Sequence, residues 1–578
     1  MKNLIKFIIS REFYIFAFAI PSLIVGWLGL NRPYYSTPDQ DFLWVSQSIR
    51  LLQGLGPSYA DHPGAYWPVS FLIKFVIFSR SFFVEFTDKY GAVSVELIDK
   101  IIHISRIENS LITASLPLLF FLILKELEVD KRIIILTTYI LCLSAANLSL
   151  ASDIRHENIG IFFMFFYLLL TSKELNKSIN LYFLNLNAIR NTLFFYASIF
   201  CKQQILLISP LIFLFILNCL KIKDLDYYKK LKAFIKRKNI SNILLLFFLS
   251  GIPWIIISIE EFYKFGFLYL INLPFWSFIN TGLIFSMMIS GKEQIKKSVF
   301  LKYLFVLTTM QILVFEIIAP NVWRRSITAF PSFLFQFSSF SDGNLNLYTL
   351  IKDFIMFIKE SFASISWPGN LVFIVAFLLI IYFIKKLLVL IINKRDFSLF
   401  DYSVSSLLIL ISVLSFRNQI FYQIYFFIPI LILLSLGFSN IFLKKYNINE
   451  RFKINNFLFL TSSILLLSFS IKSTTNVFNL NKFVSSSQSQ ELLCNSQTLD
   501  FSLKNTPVST CEEFEKESRG HTSFWGYIKR LEEIGFIHAE TSNTPKGRGR
   551  TTLIRAANIL PATVEKRLEK DLNRTNIG

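Results

Sequence analysis

The most informative segment of this chain runs from Pro33 to Phe75 and reads PYYSTPDQDFLWVSQSIRLLQGLGPSYADHPGAYWPVSFLIKF. It directly follows an apolar segment, Phe13–Leu30. Two carboxylates, Asp39 and Asp41, stand on either side of a glutamine, and His62 follows later in an Asp-His-Pro-Gly sequence. Asp, His, Pro and Gly also collect in ordinary solvated loops. The segment therefore indicates either a functional loop or a plain acidic one, and the rest of the chain has to decide between them.

The composition predicts a polytopic membrane protein. Of the 578 residues, 53% are hydrophobic, 16% are aromatic and only 17% are charged, with a mean hydropathy of +0.51. That balance is typical of membrane proteins and excludes an ordinary globular domain. Much of the net charge of +20 lies in short loops between apolar segments. Lys and Arg in such loops set the topology, so this charge does not indicate a nucleic-acid partner.

The apolar segments predict about thirteen membrane spans, because a span needs about 20 apolar residues. Basic residues before the first span place the N-terminus in the cytoplasm. Residues 31–109 and 319–370 then form external loops. The predicted spans are Phe13–Leu30, Ser110–Leu124, Ile133–Leu150, Ile159–Leu170, Thr192–Phe200, Ile243–Ile259, Leu268–Ile289, Tyr303–Ile318, Leu371–Ile384, Tyr402–Ser415, Phe421–Phe442 and Ile454–Ile471. The continuation of Thr192–Phe200 to Leu220 counts as one further span.

Charged residues stand at the ends of several of these segments. Asp153, Arg155 and Glu157 follow the span that ends at Leu150. Lys202 interrupts an apolar run that continues to Leu220. A lysine at membrane depth costs a few kcal/mol on insertion scales and usually faces a cavity. The alternative for each cation is an interface residue that extends its charge to the headgroups.

The carboxylate pair after a first span, with His-Pro-Gly about one helix later, resembles the first external loop of GT-C glycosyltransferases. The protein O-mannosyltransferases and aminoarabinose transferases are relatives of this type. The resemblance implies an all-α polytopic membrane enzyme of the plasma membrane, with its active site on the external face. It also implies transfer of a sugar from a polyprenyl-phosphate donor to a glycan, lipid or protein acceptor, by direct displacement with inversion.

The resemblance assigns roles to named residues. Asp41, with Asp39 beside it, is the candidate base that takes the proton of the acceptor hydroxyl, since a partly desolvated carboxylate has a raised pKa. The two carboxylates also offer ligands for a divalent cation, Mg or Mn, although no cofactor is certain. Lysine and arginine are the usual partners of phosphate. The candidates for the donor phosphate and the substrate are His62, Asp153, Arg155, His156, Glu157, Lys202 and Arg417.

The polar C-terminal part predicts a separate domain. Residues 1–475 form the transmembrane domain, 476–519 a linker, and 520–578 a small α/β domain. In the last of these, a predicted helix precedes two strands, Phe536–Glu540 and Thr551–Arg555, around a basic turn. The turn Gly547–Thr552 resembles the wing of the winged-helix domain in archaeal origin-recognition initiators. A DNA-binding module belongs in the cytoplasm, whereas thirteen spans place this tail outside, and the sequence leaves that conflict open.

Two other function classes stand beside the glycosyltransferase. A transporter or flippase for a lipid-linked glycan is expected to contain inverted repeats and broken helices near mid-membrane, and no repeat is visible in the sequence. A membrane-tethered DNA-binding regulator rests wholly on the C-terminal resemblance. The expected partners are the lipid bilayer, the polyprenyl-phosphate donor and an acceptor, and nucleic acid is not expected.

Overall fold

The computed structural model describes residues 11–30, 95–152, 154–175, 186–237, 240–259, 272–293 and 295–318, six positions between 424 and 435, and the backbone of two short strands. The helices are α1 Arg11–Leu30, α2 Val95–Glu126, α3 Lys131–Cys142, α4 Ala145–Leu148, α5 His156–Glu174, α6 Leu186–Cys201, α7 Ser209–Lys223, α8 Leu225–Arg237, α9 Ile240–Leu249, α10 Ile252–Ile257, α11 Asn272–Ser290 and α12 Lys297–Ile312. A 3₁₀-helix, Gln203–Ile208, joins α6 to α7, and a π-helical segment, Leu313–Ile318, continues α12.

Three of these helices are long and apolar enough to cross a membrane, namely Ile102–Glu126 in α2, Asn272–Ser290 in α11 and Lys297–Phe315 in α12 with the start of the π-helical segment. Large apolar side chains also remain exposed on the outer faces of the bundle. Trp27 is 64% exposed and Phe305 is 74% exposed. An apolar outer surface on a bundle with an apolar interior is expected where lipid surrounds the protein. The described part is therefore helical and compatible with a helical membrane protein.

The central helix of the described bundle is α5. It contacts α2, α6, α7 and α11. Its sequence is apolar on all sides after the first turn, and Met164, Phe165 and Leu168 are buried. A helix that is hydrophobic all round is expected to lie in the interior. The first turn of α5, which carries Arg155, His156 and Glu157 at its start, is thereby fixed inside the protein.

Small residues bring α1 close to α2 and to the segment after α4. A Cβ on Gly29 would stand 2.5 Å from the Ser152 carbonyl oxygen, and a Cβ on Gly26 would meet the Ser110 side chain. Asn147 donates to the Ser22 hydroxyl at 3.1 Å. Close approach through small residues with added hydrogen bonds is the usual way in which membrane helices associate. The C-terminal end of α1 consequently lies beside the segment that leads into α5.

Two predicted spans are wrong as continuous helices. The predicted span Ile133–Leu150 is broken after Cys142, where the Ser144 hydroxyl donates to the Leu141 carbonyl at 2.8 Å and accepts from the Asn147 amide at 3.2 Å. The predicted span Ile243–Ile259 is interrupted by a turn between α9 and α10, and Pro253 lies in the first turn of α10. Asn280 donates to the Ser250 carbonyl at 2.8 Å. Side-chain hydrogen bonds thus satisfy backbone groups that the breaks release.

Other predicted boundaries shift, and many lie outside the described residues. Helix α2 begins at Val95, well before the predicted start at Ser110, so the predicted external loop 31–109 ends in a helix. The interruption of the apolar run at Lys202 is confirmed, since α6 ends at Cys201. The loop 319–370, the linker and the predicted spans Leu371–Ile384, Tyr402–Ser415 and Ile454–Ile471 lie outside the described residues. Only six positions of the predicted span Phe421–Phe442 are described.

Near the C-terminus the backbone forms a two-stranded antiparallel sheet, in which β1 Ala539–Ser542 pairs with β2 Arg550–Leu553. Ala539 is opposite Leu553, and Ser542 is opposite Arg550. The pair overlaps the two predicted strands. The first observed strand begins and ends later in the sequence than predicted, and the second begins and ends earlier. The helix predicted before them is outside the described residues, so the winged-helix domain stays a prediction.

Candidate functional site: a buried ionic cluster

The first side of the candidate site is the start of α5. Arg155 is the N-cap residue, with extended backbone angles of φ −122° and ψ 130°, and Glu157 lies in the first helical turn. A carboxylate in this position interacts favourably with the positive end of the helix dipole. The sequence Arg-His-Glu therefore begins the helix and brings three ionisable side chains to one end of it.

The second side of the site is the interruption between α6 and the 3₁₀-helix. Lys202 has extended backbone angles of φ −152° and ψ 107° at this point. Its amide still donates to the Ser198 carbonyl at 3.0 Å, and its carbonyl accepts from the Ile205 amide at 3.1 Å. The chain therefore changes its helical type at Lys202 with few backbone hydrogen bonds lost, and the lysine side chain lies between the two helical segments.

The side chains of these two segments meet in an ionic cluster, which we define as Arg155, His156, Glu157 and Lys202. Lys202 Nζ lies 2.9 Å from Glu157 Oε1, and His156 Nε2 lies 3.2 Å from the same oxygen. Lys202 Nζ and His156 Nε2 are also in hydrogen-bond contact. If Nε2 accepts this hydrogen bond from the ammonium group, the imidazole proton of a neutral His156 is on Nδ1.

All four side chains of the ionic cluster are buried. The relative exposure is 2% for Arg155, 2% for His156, 0% for Glu157 and 0% for Lys202. Charges are expensive to bury unless they are paired. The cluster combines one carboxylate with an ammonium and a guanidinium, the two kinds of cation that bind phosphate in proteins.

A glycine one turn into α5 allows the two sides to approach. A Cβ on Gly160 would lie 2.6 Å from Ile205 Cδ1 and 3.3 Å from both Lys202 Cβ and the Ser198 carbonyl oxygen. Because Gly160 lacks that atom, α5 can pack closely against the end of α6. This approach is what brings Lys202 within ion-pair distance of Glu157.

Asn109 of α2 fixes the backbone that leads into the ionic cluster. Its side-chain nitrogen donates to the Leu150 carbonyl at 2.5 Å, and its side-chain oxygen accepts from the Arg155 amide at 2.9 Å. The same oxygen accepts from the Asn158 side chain at 2.8 Å. One buried amide therefore bonds the chain on both sides of Ser152, and we assign Asn109 as a residue that positions the cluster.

A further buried cation, Arg106, lies one turn before Asn109 on the same helix. It is 1% exposed, and its guanidinium donates to the Gly29 carbonyl at 3.2 Å. Arg106 and Asn109 are absent from the predicted site because both fall in the predicted external loop 31–109. Their signal is a polar stripe at helical spacing, Arg106, Asn109, Ser110 and Thr113.

The structure brings together His156, Glu157 and Lys202, three of the residues selected from the sequence, and buries a fourth, Arg155, at the start of the same helix as Glu157. The other selected residues, Asp39, Asp41, His62, Asp153 and Arg417, lie outside the described residues. Within the ranges that the structure describes, no group of three His, Cys, Asp or Glu residues is placed to hold a metal ion. The predicted carboxylate pair falls outside those ranges, so its use of a cation stays a prediction.

Comparison of the chain with known proteins found no match among protein-family models, curated proteins or solved structures. The ionic cluster and its surroundings are therefore interpreted from their own chemistry.

Proposed function

We propose that this chain is an integral membrane glycosyltransferase of the GT-C type, which transfers a sugar from a polyprenyl-phosphate donor to an acceptor. The observation that carries the proposal is the buried contact between Lys202 and Glu157, at 2.9 Å, beside Arg155 and His156. Ionisable residues inside a membrane bundle are rare and mark substrate or ion sites. Lysine and arginine are the usual partners of phosphate, so Lys202 and Arg155 suit the phosphate of the donor.

In the proposed reaction, the acceptor oxygen forms a bond to the anomeric carbon while the bond from that carbon to the polyprenyl phosphate breaks. Negative charge then develops on the departing phosphate. Lys202 and Arg155 stabilise that charge, because fixed cations in a water-poor site are most effective where charge develops. Asp41 takes the proton of the acceptor hydroxyl. Glu157 holds Lys202 in place before the donor binds.

The path of the chain supports a position for Asp41 near the ionic cluster. Gly29, at the end of α1, lies against Ser152, three positions before Arg155. The segment with Asp39 and Asp41 begins directly after this helix. Ten residues of extended chain reach roughly 33–36 Å, so Asp39 has enough chain to lie at the cluster. This connection is the reason for keeping both carboxylates in the proposal.

The proposal includes the predicted topology of about thirteen spans, a plasma-membrane location, an external active site and a small C-terminal winged-helix-like domain. Support for the membrane comes from α2, α11 and α12 and from the apolar outer faces of the bundle. Support for an external active site comes from the exposed basic residues at the opposite end of the bundle from the ionic cluster, since such residues mark cytoplasmic loops.

A transporter of a lipid-linked glycan is the second candidate, and the interrupted helices of the bundle favour it. The helical path is interrupted at Lys202 between α6 and α7, and again at Ser250 between α9 and α10. Broken helices that hold ions and substrates are a feature of secondary transporters. A transporter also binds the lipid phosphate, but it moves the sugar without breaking the bond to the carrier.

A transfer assay separates the two candidates. The full-length chain is reconstituted in vesicles and supplied with a set of polyprenyl-phosphate hexoses and with glycan, lipid and peptide acceptors, and both free polyprenyl phosphate and the glycosylated acceptor are measured as products. We expect release by the native chain and a fall of about 10²–10⁴-fold with Asp41→Asn, the usual share of general-base catalysis. Movement of intact donor across the vesicle without release favours the transporter instead. Full release by Asp41→Asn removes Asp41 from the mechanism.

A further inference from the structure

Away from the ionic cluster, the most strongly charged feature of the described surface is helix α8. Its sequence, LDYYKKLKAFIKR, places the apolar side chains Tyr227, Tyr228, Leu231 and Phe234 within one side of the helix. Leu231 is buried and the other three pack against the core. The opposite side carries Lys229, Lys230, Lys232, Lys236 and Arg237 by helical spacing. Of these, Lys229 and Lys230 are seen to be exposed.

Helix α8 is held at one end of the bundle by contacts with the helices that are long enough to span a membrane. Just before α8, Lys223 pairs with Glu126 at the end of α2 and donates to the Ser172 carbonyl at the end of α5 at 2.9 Å. The Tyr227 hydroxyl donates to the Glu293 carbonyl at 2.7 Å and contacts the Met288 carbonyl at 3.3 Å. These carbonyls belong to the end of α11 and the turn after it.

The start of α12 meets the same end of the bundle, because Lys302 pairs with Glu293 at 2.8 Å. Helix α8 and its preceding residues thus contact the ends of all three candidate spans, directly or through Glu293. If those helices cross a bilayer, α8 lies at the boundary between the membrane and water. We call this side of the molecule the basic end.

Exposed cations outnumber exposed carboxylates at the basic end. Besides Lys229 and Lys230, the exposed cations include Lys125, Lys131, Lys221, Lys296 and Lys297. The exposed carboxylates on the adjoining segments are Glu128 and Asp226. Lys292 is partly neutralised by Asp224 at 3.4 Å. The positive charge therefore covers several neighbouring segments and is not confined to one helix.

We infer that the basic end binds the anionic headgroups of phospholipids, with α8 lying along the membrane surface. The apolar side of α8 is already used by the bundle, so this binding is electrostatic and does not require insertion of the helix. Basic residues next to a span attract anionic lipid, and the attraction falls off within a Debye length. The inference does not depend on the proposed transferase reaction, because it concerns the opposite end of the bundle from the ionic cluster.

The test measures which lipid the full-length chain retains. The chain is incubated in micelles with equal amounts of phosphatidylglycerol and phosphatidylcholine of the same acyl chains, purified, and its bound lipid is quantified. We expect phosphatidylglycerol to be enriched, and the double variant Lys229→Gln/Lys230→Gln to lower that enrichment by about fivefold or more. The matched control, Lys229→Arg/Lys230→Arg, keeps the charge and is expected to keep the enrichment.

Four outcomes would overturn the inference. One is equal retention of the two lipids by the native chain. Another is full enrichment in the glutamine variant. The third is loss of the enrichment when inorganic phosphate is added at low millimolar concentration with ionic strength held constant, since this indicates a phosphate site in place of a lipid surface. Retention of RNA that depends on Lys229 and Lys230, without lipid enrichment, counts against the inference in the same way.

Discussion

Lys202 Nζ and Glu157 Oε1 lie 2.9 Å apart, and both side chains are withdrawn from solvent. Glu157 lies in the first turn of α5 and Lys202 directly follows α6, and the two residues meet because α5 packs against the end of α6. Since a buried ion pair is often no more stable than apolar residues of the same volume, its presence points to a purpose other than stability. The proposed binding of the donor phosphate by Lys202 and Arg155 would provide such a purpose.

The first prediction concerns the stability of this pair. Lys202→Met leaves the carboxylate of Glu157 buried without its ammonium partner, and we expect it to cost about 3–5 kcal/mol of unfolding free energy. The double variant Lys202→Met/Glu157→Leu removes both charges and is expected to recover most of that loss. The measurement is unfolding of the detergent-solubilised chain. A double variant no more stable than the single one would show that the pair is not the source of the cost.

The second prediction concerns Asn109. Asn109→Leu removes the side-chain bonds to the Leu150 carbonyl and the Arg155 amide. The Leu150 carbonyl keeps a longer bond from the Thr113 hydroxyl at 3.3 Å, whereas a buried amide left unpaired costs about 1–3 kcal/mol. We expect faster amide hydrogen exchange between Leu150 and Asn158. Ser149→Ala is the control, because the Ser149 hydroxyl bonds only within its own turn, to the Ala146 carbonyl at 3.3 Å. Equal amide hydrogen exchange between Leu150 and Asn158 in the two variants would show that Asn109 does not position this backbone.

The third prediction concerns the contact between α1 and the start of the ionic cluster. Gly29→Ala introduces a Cβ 2.5 Å from the Ser152 carbonyl oxygen, and backbone must move to accept it. We expect a loss of about 1–3 kcal/mol, the usual cost of overpacking. Gly251→Ala is the matched control, since its Cβ meets the tips of the Leu273 and Ser277 side chains. The measurement is thermal unfolding of both variants. Equal losses of unfolding free energy in the two variants would contradict the prediction.

The fourth prediction concerns pH and the start of α3. Partial burial raises the pKa of Asp130, but the side-chain and backbone hydrogen bonds of Arg132, with its charge, lower it more, so the net pKa lies below 3.8. A depressed folded-state pKa contributes stability above the unfolded pKa, and that contribution is lost as pH falls through the folded value. We expect the first turn of α3 to open in acid below about pH 4.

The control for this pH dependence is Asp130→Asn, which retains a capping oxygen and removes the charge. In this variant, we expect amide hydrogen exchange in the first turn of α3 to show no pH dependence beyond the intrinsic one, because residue 130 no longer titrates. Asp130→Ala is expected to lose about 0.5–2 kcal/mol of helix stability at neutral pH, as for other N-caps. An unchanged pH dependence in Asp130→Asn would assign the acid opening to another group.

Part of the fold was predictable because lipid imposes simple rules. Apolar length alone indicated a span within α2 and spans that overlap α11 and α12. The interruption at Lys202 was predictable because a charged residue cannot continue a lipid-facing helix without a partner. The breaks at Ser144 and Ser250 were missed because both segments are apolar enough to span, and the breaks depend on hydrogen bonds from Ser144 and Asn280.

The candidate site was predictable only in its charged members. Arg155, Glu157 and Lys202 were selected because charges next to apolar segments stand out in a sequence. The contact between these side chains depends on Gly160, and the path of the backbone that leads to them depends on Asn109. Both residue types are ordinary in a packed helix, so neither stands out in the sequence. Such contacts arise from tertiary packing between segments far apart in the chain, which periodicity along one segment does not describe.

The most direct test of the central claim compares the binding of a polyprenyl phosphate, without a sugar, with that of the polyprenol that lacks the phosphate. The native chain is expected to prefer the phosphate, and Lys202→Gln to lose about 10–150-fold of that preference, equivalent to a charge-assisted hydrogen bond of 1.5–3 kcal/mol. Lys302→Gln, which removes a lysine from the pair with Glu293 at the other end of the bundle, is expected to keep it. Equal binding of phosphate and alcohol by the native chain, or an undiminished preference in Lys202→Gln, would contradict the claim.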